Sequence, residues 1–594
     1  MSTLPKRSLQ EWVHWFEIGE GSRWVRIAGL AAGVLLLSWF VGYKLFRGPL
    51  TEVTMAQAVV GRQVAEGRGF TTLVNHPQSF AWARERISRG KFVDVRKPLP
   101  ELHQPPLYSA AIAAAHRLLP ARWFNGDTTL LALNIVLLWC VAMQSFFLAR
   151  NLFGEMGGVI ALLGVMLSAP IWAATVAVNG AVLTMALWLA LFQLTWSAET
   201  RVMKAGGGAA LTLGRRITMS LWRPALTGMI LGALFLSDYT TIVAAPLVAV
   251  VILTKVSDWR VFRSLVLITA AFVVVAGPWM ARNVSLTGSP VGFAARELAL
   301  KAGDPTAEPA TRRAMFTTES PAVDFKKLGN KALTSLQRGA GERFWSGGGI
   351  FFAAFFAAGF AYRFRDARAN RLRWFAVAVI ASVALAQAFL SSGEGERDVW
   401  LCMAPLVIVF GTGFFLVLVK SSEALESRGL AAALVLLALQ AVPLARDVLE
   451  PRGTRYNYPP YLPALFSGIG QKLSENRAEP PAWMSDVPAG ASWYSGQRVW
   501  AQPATMKGFH EVARWQRVRA LVLTPATLAR PFFGEIANEQ SHGRGDWAPV
   551  YRGLAAGRLP ADFPLVVPVR IAPDFYVLID PGAPKVAAEG AHEK

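Results

Sequence analysis

The sequence predicts a polytopic α-helical membrane protein of about 11 spans, followed by a small C-terminal α/β extracytoplasmic domain. Of the 594 residues, 53% are hydrophobic and only 17% are charged, whereas about 25% are charged in an average soluble domain. The apolar residues form blocks between Gly29 and Leu449, and after Pro451 the composition becomes that of a globular domain. We therefore expect a transmembrane domain at 1–449 and a separate domain at 450–594.

A membrane-crossing helix needs about 20 apolar residues. The candidate spans, in chain order, are 27–46, 128–149, 156–176, 179–197, 225–237, 240–254, 264–280, 347–361, 374–391, 400–419 and 429–446. The two short spans on either side of Asp238 form either a broken hairpin or one kinked helix, and Asp238 lies either in mid-membrane or at a solvated end. The first span has no small-residue cleavage site behind it, which indicates an uncleaved anchor.

Charge orients these spans. With the N-terminus inside, the connections that hold most of the cations, 198–224 and 362–373 among them, are cytoplasmic, as the positive-inside rule requires. The net charge of +21 follows from this distribution, so it does not indicate nucleic-acid binding. Segment 105–119 is too short to cross and opens with two prolines, so we expect an interfacial helix on the outer face.

Three segments then lie outside: loop 47–127, loop 281–346 and the tail 450–594. The tail has β-type runs at 519–525, 564–571 and 575–580, with a helix-like stretch at 527–540, which is typical of a small α/β domain. The two cysteines, Cys140 and Cys402, lie in apolar spans. This position favours packing residues and excludes a disulfide framework.

The stretch after the first span predicts an amphipathic helix at 52–66 on the membrane surface, with Glu52 in its first turn. A carboxylate there meets the positive end of the helix dipole. Glu52 is therefore either a helix-capping residue or a functional acid where membrane and water meet.

Several motifs, in order, resemble those of the GT-C superfamily of polyprenyl-phosphate-sugar-dependent glycosyltransferases, particularly family 39 and the aminoarabinose and protein O-mannosyl transferases. These motifs are Glu52 directly after the first span, the helix from Ala56 that ends in Gly67-Arg68-Gly69-Phe70, the element His103-Gln104-Pro105-Pro106-Leu107-Tyr108, the stretch PWMARNVSLTGSP at 278–290, and Arg397 followed by Pro405. The resemblance implies a GT-C-like fold at the inner membrane of a bacterium, with the C-terminal domain periplasmic.

The resemblance also implies the chemistry. Glu52 would take the acceptor's proton as general base, and Asp94 or Glu101 on the same loop could supply a second acid. The departing phosphate would be held by outer-face arginines, whose fork geometry suits phosphate. The arginine candidates are Arg62, Arg282, Arg343 and Arg397. His103 and Tyr108 would position the acceptor or the loop, although a packed interfacial histidine is the alternative for His103.

The expected partners are membrane lipids and a polyprenyl-phosphate-linked sugar donor, with no cofactor. A divalent metal is not favoured, because such ions prefer several oxygen ligands. Two other functions remain open. One is a non-catalytic assembly protein that keeps the GT-C fold, and the other is a lipid or glycan transporter, in which ionisable residues should line a pathway through the membrane. The sequence gives no indication of the oligomeric state.

Overall fold

The computed structural model describes most of the chain. The described residues are 20–95, 97–120, 122, 124–204, 213–255, 259–296, 312–319, 324–364, 366–390, 398–421, 423–450, 462–474, 482–527, 547–561, 563–565, 567–572 and 575–580.

Within these residues the chain is mostly helical. The helices are α1 (Glu20–Leu45), α2 (Glu52–Ala65), α3 (Pro77–Ser88), α4 (Leu107–Leu118), α5 (Gly126–Phe153), α6 (Glu155–Met166), α7 (Ala169–Val176), α8 (Ala181–Lys204), α9 (Leu213–Ser237), α10 (Ala244–Lys255), α11 (Trp259–Thr287), α12 (Phe325–Arg338), α13 (Phe344–Gly347), α14 (Ile350–Ala358), α15 (Ala367–Leu390), α16 (Val399–Cys402), α17 (Ala404–Lys420), α18 (Glu423–Glu426), α19 (Gly429–Leu449), α20 (Pro463–Ser474), α21 (Pro488–Ser495), α22 (Met506–Trp515) and α23 (Ala548–Ala555). Short 3₁₀ turns follow α9 at Tyr239–Val243 and α14 at Gly359–Ala361, and a third lies in the tail at Pro525–Thr527. A π turn joins α12 to α13 at Gly339–Arg343.

The apolar helices make the chain a multi-pass membrane protein. Among the described residues, five helices are long and apolar enough to cross a membrane: Ile27–Leu45, Gly126–Phe153, Phe262–Thr287, Ala367–Leu390 and Gly429–Leu449. Two bent pairs raise the number to seven, and Ala181–Thr195, Tyr239–Leu253 and Ala404–Lys420 are shorter apolar helices. The segments predicted to span coincide with these helices, although 156–176 is divided between α6 and α7, and 240–254 and 347–361 include the 3₁₀ turns next to α10 and α14. The predicted helix positions are confirmed, and the number of crossings stays a prediction.

The membrane helices enclose a core of large apolar side chains. Trp172, Phe192, Phe352 and Phe410 are almost completely buried and belong to one contiguous cluster that joins the N-terminal and C-terminal halves of the membrane region. The helices approach closely at glycines, as small residues at helix interfaces allow. A methyl group on Gly228 would collide with the carbonyl oxygen of Ile268.

The tail forms most of a six-stranded sheet. The strands of the described residues are β1 (Thr71–Thr72), β2 (Val74–Asn75), β3 (Leu99–Pro100), β4 (Ala482–Ser485), β5 (Val499–Ala501), β6 (Val518–Leu523), β7 (Val567–Ala572) and β8 (Phe575–Ile579). The sheet has the strand order β2-β5-β4-β6-β8-β7. Strands β2, β5, β4 and β6 run parallel, and β8 and β7 complete the sheet antiparallel. Strands β1 and β3 pair separately as an antiparallel ribbon.

One edge of this sheet comes from loop 47–127. Asn75 pairs with Trp500, so the sheet is built from the tail and the first long loop together. Runs 519–525, 564–571 and 575–580 correspond to observed strands, while most of the helix-like stretch 527–540 lies outside the described residues. Three parallel strands were missed, because β2, β4 and β5 are only two to four residues long and too short to show an alternating pattern.

Helix α4 is the 12-residue helix expected at 105–119, and it packs against α2. The contact depends on Gly61, since a methyl group there would lie 2.6 Å from Ile112 Cγ2. Met55 and Val59 of α2 are completely buried, and they share one cluster with side chains of α4 and α21. The apolar stripe of α2 therefore packs against protein on two sides. The helix predicted at 52–66 is confirmed, and its place on the membrane surface stays a prediction.

Candidate active site

Glu52 connects the end of the first membrane helix to the tail. The side chain of Thr51 caps α2 by accepting a hydrogen bond from the N–H of Thr54 (3.2 Å). The half-buried carboxylate of Glu52 accepts hydrogen bonds from two backbone N–H groups in the first turn of α21. Oε2 lies 3.0 Å from the nitrogen of Ala489 and Oε1 lies 3.2 Å from the nitrogen of Gly490. The first turn of a helix has N–H groups without intrahelical partners, so the carboxylate satisfies two of them.

Arg62 holds the opposite end of α21. Its Nη1 donates to the carbonyl oxygen of Trp493 (2.9 Å) and its Nη2 donates to that of Ser492 (3.2 Å). The guanidinium also lies 4.7 Å from the centre of the Trp493 ring. Burial lowers the pKa of Arg62, and the nearby carboxylate of Glu66 acts in the opposite direction. Helix α2 thus places an acid at the N-terminus of α21 and a cation at its C-terminus, and both signs match the helix dipole.

Asp127, in the first turn of α5, makes the third connection to α21. Its Oδ1 accepts from the Trp493 indole N–H (2.8 Å) and its Oδ2 accepts from the Tyr494 hydroxyl (3.0 Å). Burial raises the pKa of Tyr494, and the negative charge of Asp127 adds to the effect. Gly126 lets the indole approach, because a methyl group there would lie 2.7 Å from it.

Helix α21 also fixes where Glu52 lies relative to the sheet. It begins three residues after Ser485, the last residue of β4. Its N-terminus therefore lies near the carboxyl edge of the parallel strands, where β4 and its neighbour β6 end at a buried contact. Asp486 Oδ2 accepts from the backbone N–H and from the hydroxyl of Thr524, each at 2.8 Å. In open α/β sheets this edge is the usual place for a ligand.

Arg282 joins three of the sequence motifs. Its Nη1 donates to the carbonyl oxygen of Glu101 (3.0 Å) and its Nη2 donates to that of Phe70 (3.1 Å), while its guanidinium stacks 4.4 Å from the ring of Trp279. The next residue, Asn283, donates from its amide to the carbonyl oxygen of Pro290 (3.2 Å). Arg282 thus holds Phe70, the last residue of the Gly-Arg-Gly-Phe element, and Glu101, two residues before His103, near the C-terminal end of α11, while Asn283 holds the turn that follows α11.

His103 is buried at this junction. Its Nε2 lies 3.0 Å from the hydroxyl of Ser79, and its ring packs 5.3 Å from that of His76 and 5.4 Å from that of Phe293. The carboxylate of Glu101 accepts from the backbone N–H of His103 (2.8 Å) and of Gln104 (3.0 Å). Glu101 is only 6% exposed, so its described contacts stabilise the turn that leads into the two prolines.

Tyr108 lies deeper, where α4 meets α5. Its hydroxyl is 2.7 Å from the carbonyl oxygen of Val178 and 3.0 Å from Oδ1 of Asn134. The ring also packs closely on Gly180. Tyr108 is 2% exposed, and these contacts anchor α4 to the membrane helices.

Arg343 belongs to a polar chain at the end of the membrane helices. Its Nη1 lies 3.0 Å from Oδ2 of Asp398. Gln387 continues the chain, because its side-chain oxygen accepts from the N–H of Val399 (2.9 Å) and its amide donates to Asp238 (3.2 Å). Burial raises the pKa of Asp398, while the N–H of Trp400 and the charge of Arg343 act in the opposite direction. Arg397 lies outside the described residues.

Asp94 lies near the sheet edge formed by β2 and β5. It is 3.7 Å from Nζ of Lys97, and its charge opposes the lowering of the pKa of Arg498 that burial causes. Arg498 donates to the carbonyl oxygen of Val95 (2.7 Å). The candidates therefore fall into separate groups: Glu52 and Arg62 on α21, Arg282 and His103 at the top of α11, Arg343 with Asp398, and Asp94 with Arg498.

Sequence reasoning missed Asp127 and the whole of α21. Asp127 had a detectable signal, since it follows Asn125, a strong N-cap residue type, in the first turn of a long helix. Helix α21 has only eight residues, with the sequence PAGASWYS, so its sequence gives no sign that it packs against a helix more than 400 residues earlier.

The chain was compared with known proteins. No protein-family profile matches it, and no curated protein sequence does. Among solved structures, the chain is similar to ArnT from Cupriavidus metallidurans bound to undecaprenyl phosphate. The sequence identity is 12%, the TM-score is 0.49, and the match covers 94% of this chain and 98% of that one.

A second similar structure is the oligosaccharyltransferase of Archaeoglobus fulgidus in complex with zinc and sulfate. Its identity is 12%, its TM-score is 0.48, and the match covers 82% of this chain and 67% of that one. ArnT is an aminoarabinose transferase.

Proposed function

We propose that the chain is a glycosyltransferase that moves a sugar from a polyprenyl-phosphate donor to an acceptor at the outer face of a bacterial inner membrane. In this proposal Glu52 is the general base. The supporting observation is its carboxylate, which lies seven residues beyond the first membrane helix and receives one backbone N–H on each oxygen. The two N–H groups fix the direction of the carboxylate, and a general base must be positioned within reach of the proton that it takes.

The reaction needs a single proton acceptor. The acceptor hydroxyl passes its proton to Glu52 as its oxygen forms a bond to the anomeric carbon of the sugar. The bond between that carbon and the phosphate oxygen breaks, and its electron pair leaves with the polyprenyl phosphate. Attack opposite the leaving group inverts the anomeric centre. The leaving phosphate is a stable anion, so a second carboxylate acting as an acid, as in glycosidases, is not required.

The contacts divide the arginines into two roles within this proposal. Arg62 and Arg282 each direct two guanidinium nitrogens to backbone carbonyls, so they hold the loops. Arg343 forms an ion pair with Asp398, and Arg397 directly precedes Asp398 in the sequence. Both arginines are proposed to contact the donor phosphate. A guanidinium has five N–H donors, so an ion pair with Asp398 is compatible with a second anion.

The acceptor is proposed to approach along the carboxyl edge of the parallel strands. Glu52 lies next to that edge because α21 starts there, and ligands of open α/β sheets bind at this position. Asp94 and His103, on the loop that supplies β2, are proposed to shape the acceptor side of the site. The proposal requires the tail to lie in the periplasm, on the same side of the membrane as Glu52.

The decisive experiment is Glu52→Gln in nanodiscs supplied with a panel of polyprenyl-phosphate monosaccharides, with release of polyprenyl phosphate as the readout. A general base contributes about 10²- to 10⁴-fold, so we expect a loss of that size. Glu66→Gln is the matched control, since Glu66 is an exposed acid at the other end of the same helix, paired with Arg68. Unchanged release by Glu52→Gln would eliminate the base assignment.

A non-catalytic assembly protein is the second candidate, and one observation favours it. Glu52 and Arg62 together hold both ends of α21, which is an architectural use of the motif acid. Hydrogen exchange of α21 separates the two functions. An enzyme should lose transfer in Glu52→Gln with α21 still protected, because glutamine keeps one acceptor oxygen. Wild-type protein that releases no polyprenyl phosphate from any donor, together with an unprotected α21 in the variant, favours the assembly role.

A further inference from the structure

The exposed surface of helix α12 has an apolar edge and a basic edge. Phe325 is 79% exposed and Leu333 is 57% exposed, whereas Ala332 is 3% exposed. At about 100° per residue, Phe325, Leu333 and Leu336 fall on one arc. Leu336 packs against the membrane core, so the apolar arc is wider than the face that contacts protein.

Three of the four basic residues occupy a different arc, while the fourth, Lys326, falls about 20° from Leu333 at the border of the apolar arc. Lys327, Lys331 and Arg338 fall within about 40° of one another on the helix wheel, on the side away from Phe325. The acid at the start of the helix, Asp324, is used as its cap and accepts from the backbone N–H groups of Lys326 and Lys327. Phenylalanine and leucine on one face and lysine and arginine on the other are the pattern of a helix that lies in a membrane interface.

The direction of α12 fits this location. The helical segment Phe325–Gly347 is bent by 114° from Ile350–Ala361, its partner in a candidate span. This angle is 24° more than a right angle, so if Ile350–Ala361 runs along the membrane normal, α12 lies close to the membrane plane. Helix α15, a candidate span itself, packs against α12, which keeps the helix at the edge of the membrane bundle.

We propose that α12 is an interfacial helix that binds anionic phospholipid in the outer leaflet, with Phe325 and Leu333 among the acyl chains and the basic arc against the headgroups. Anionic lipid is the occupant that both edges fit, since the cations complement its charge and the apolar edge complements its chains. This surface is separate from Glu52 and α21. Its assignment to the outer leaflet rests on the topology proposed above.

Depth in the bilayer tests the apolar edge. In the full chain carrying Cys140→Ala and Cys402→Ala, a fluorophore is attached to Phe325→Cys or Leu333→Cys, with the exposed Thr334→Cys, about 180° from Phe325 and 100° from Leu333, as the control. In nanodiscs we expect lipid-attached nitroxide to remove most fluorescence at positions 325 and 333. Iodide in the buffer should act mainly at position 334. Positions 325 and 333 that respond to iodide like position 334, or to neither quencher, would overturn the proposal, the latter because protein covers the edge.

Lipid charge tests the basic edge. A cation near an anionic surface contributes about five-fold in affinity, so Lys327→Gln with Lys331→Gln should weaken binding of phosphatidylglycerol about 30-fold. Native mass spectrometry of the detergent-solubilised full chain measures this affinity, with phosphatidylcholine as the neutral lipid. The matched control is Lys507→Gln with Arg514→Gln, which removes two exposed cations from α22. Equal affinity of wild type and the α12 variant for phosphatidylglycerol would contradict the inference.

Discussion

Replacing Arg62 with methionine tests whether α2 holds the tail in place. The substitution keeps an unbranched apolar stem and removes the guanidinium, which makes two hydrogen bonds to the carbonyl oxygens of Ser492 and Trp493. A hydrogen bond from a charged group contributes about 1.5–3 kcal/mol, and a cation over an aromatic ring adds about 0.5–2 kcal/mol.

The net effect should be smaller than the sum of these values. The carbonyl groups that lose Arg62 lie at the end of a short helix, where water can replace part of what is lost. We therefore expect the docked state of α21 to lose about 2–3 kcal/mol. At about 1.4 kcal/mol per factor of ten, its amides should exchange roughly 30- to 150-fold faster, provided that exchange occurs by local opening.

Hydrogen–deuterium exchange of the full chain in nanodiscs, followed on peptides that cover 488–496, measures this opening. Arg68→Met is the control, because Arg68 is a 54% exposed arginine in an ion pair with Glu66 at 2.7 Å. Surface ion pairs contribute about 0–1 kcal/mol, so the control should change exchange less than about six-fold. If Arg62→Met and Arg68→Met have the same exchange over 488–496, the docking of α21 does not depend on Arg62.

Two other substitutions test the surroundings of α2. Burial, followed by the charge of Arg62, lowers the pKa of His116 below its ordinary value of 6.5. The stability it contributes is therefore complete above pH 6.5 and is lost as the pH falls through the lowered pKa. His116→Gln should remove this part of the pH dependence of thermal unfolding, and an equal decline in both proteins would contradict the assignment. Tyr108→Phe should lower the free energy of unfolding by about 1–3 kcal/mol, because the buried oxygens of Val178 and Asn134 lose a donor; an unchanged unfolding midpoint in denaturant would refute this.

Residues of the sequence motifs make structural contacts. Arg282 and Asn283 match a motif, and the structure gives them three hydrogen bonds to carbonyl oxygens of the surrounding loops. The motif could be recognised from the sequence alone, but the hydrogen-bond partners of its side chains could not be predicted. Carbonyl acceptors such as those of Phe70 and Glu101 have no signature in a sequence, because every residue has the same one.

The sequence by itself determined the membrane part of this protein. Blocks of about 20 apolar residues must form helices in lipid, where a backbone without internal hydrogen bonds costs too much. The position of nearly every long helix could therefore be predicted, and so could the placement of Glu52 at the end of the first. Tertiary structure alone decided what Glu52 and Arg62 contact. Helix α21 and strand β2 are short segments that contact residues more than 400 positions away in the sequence. No hydrophobic pattern in the sequence encodes these contacts.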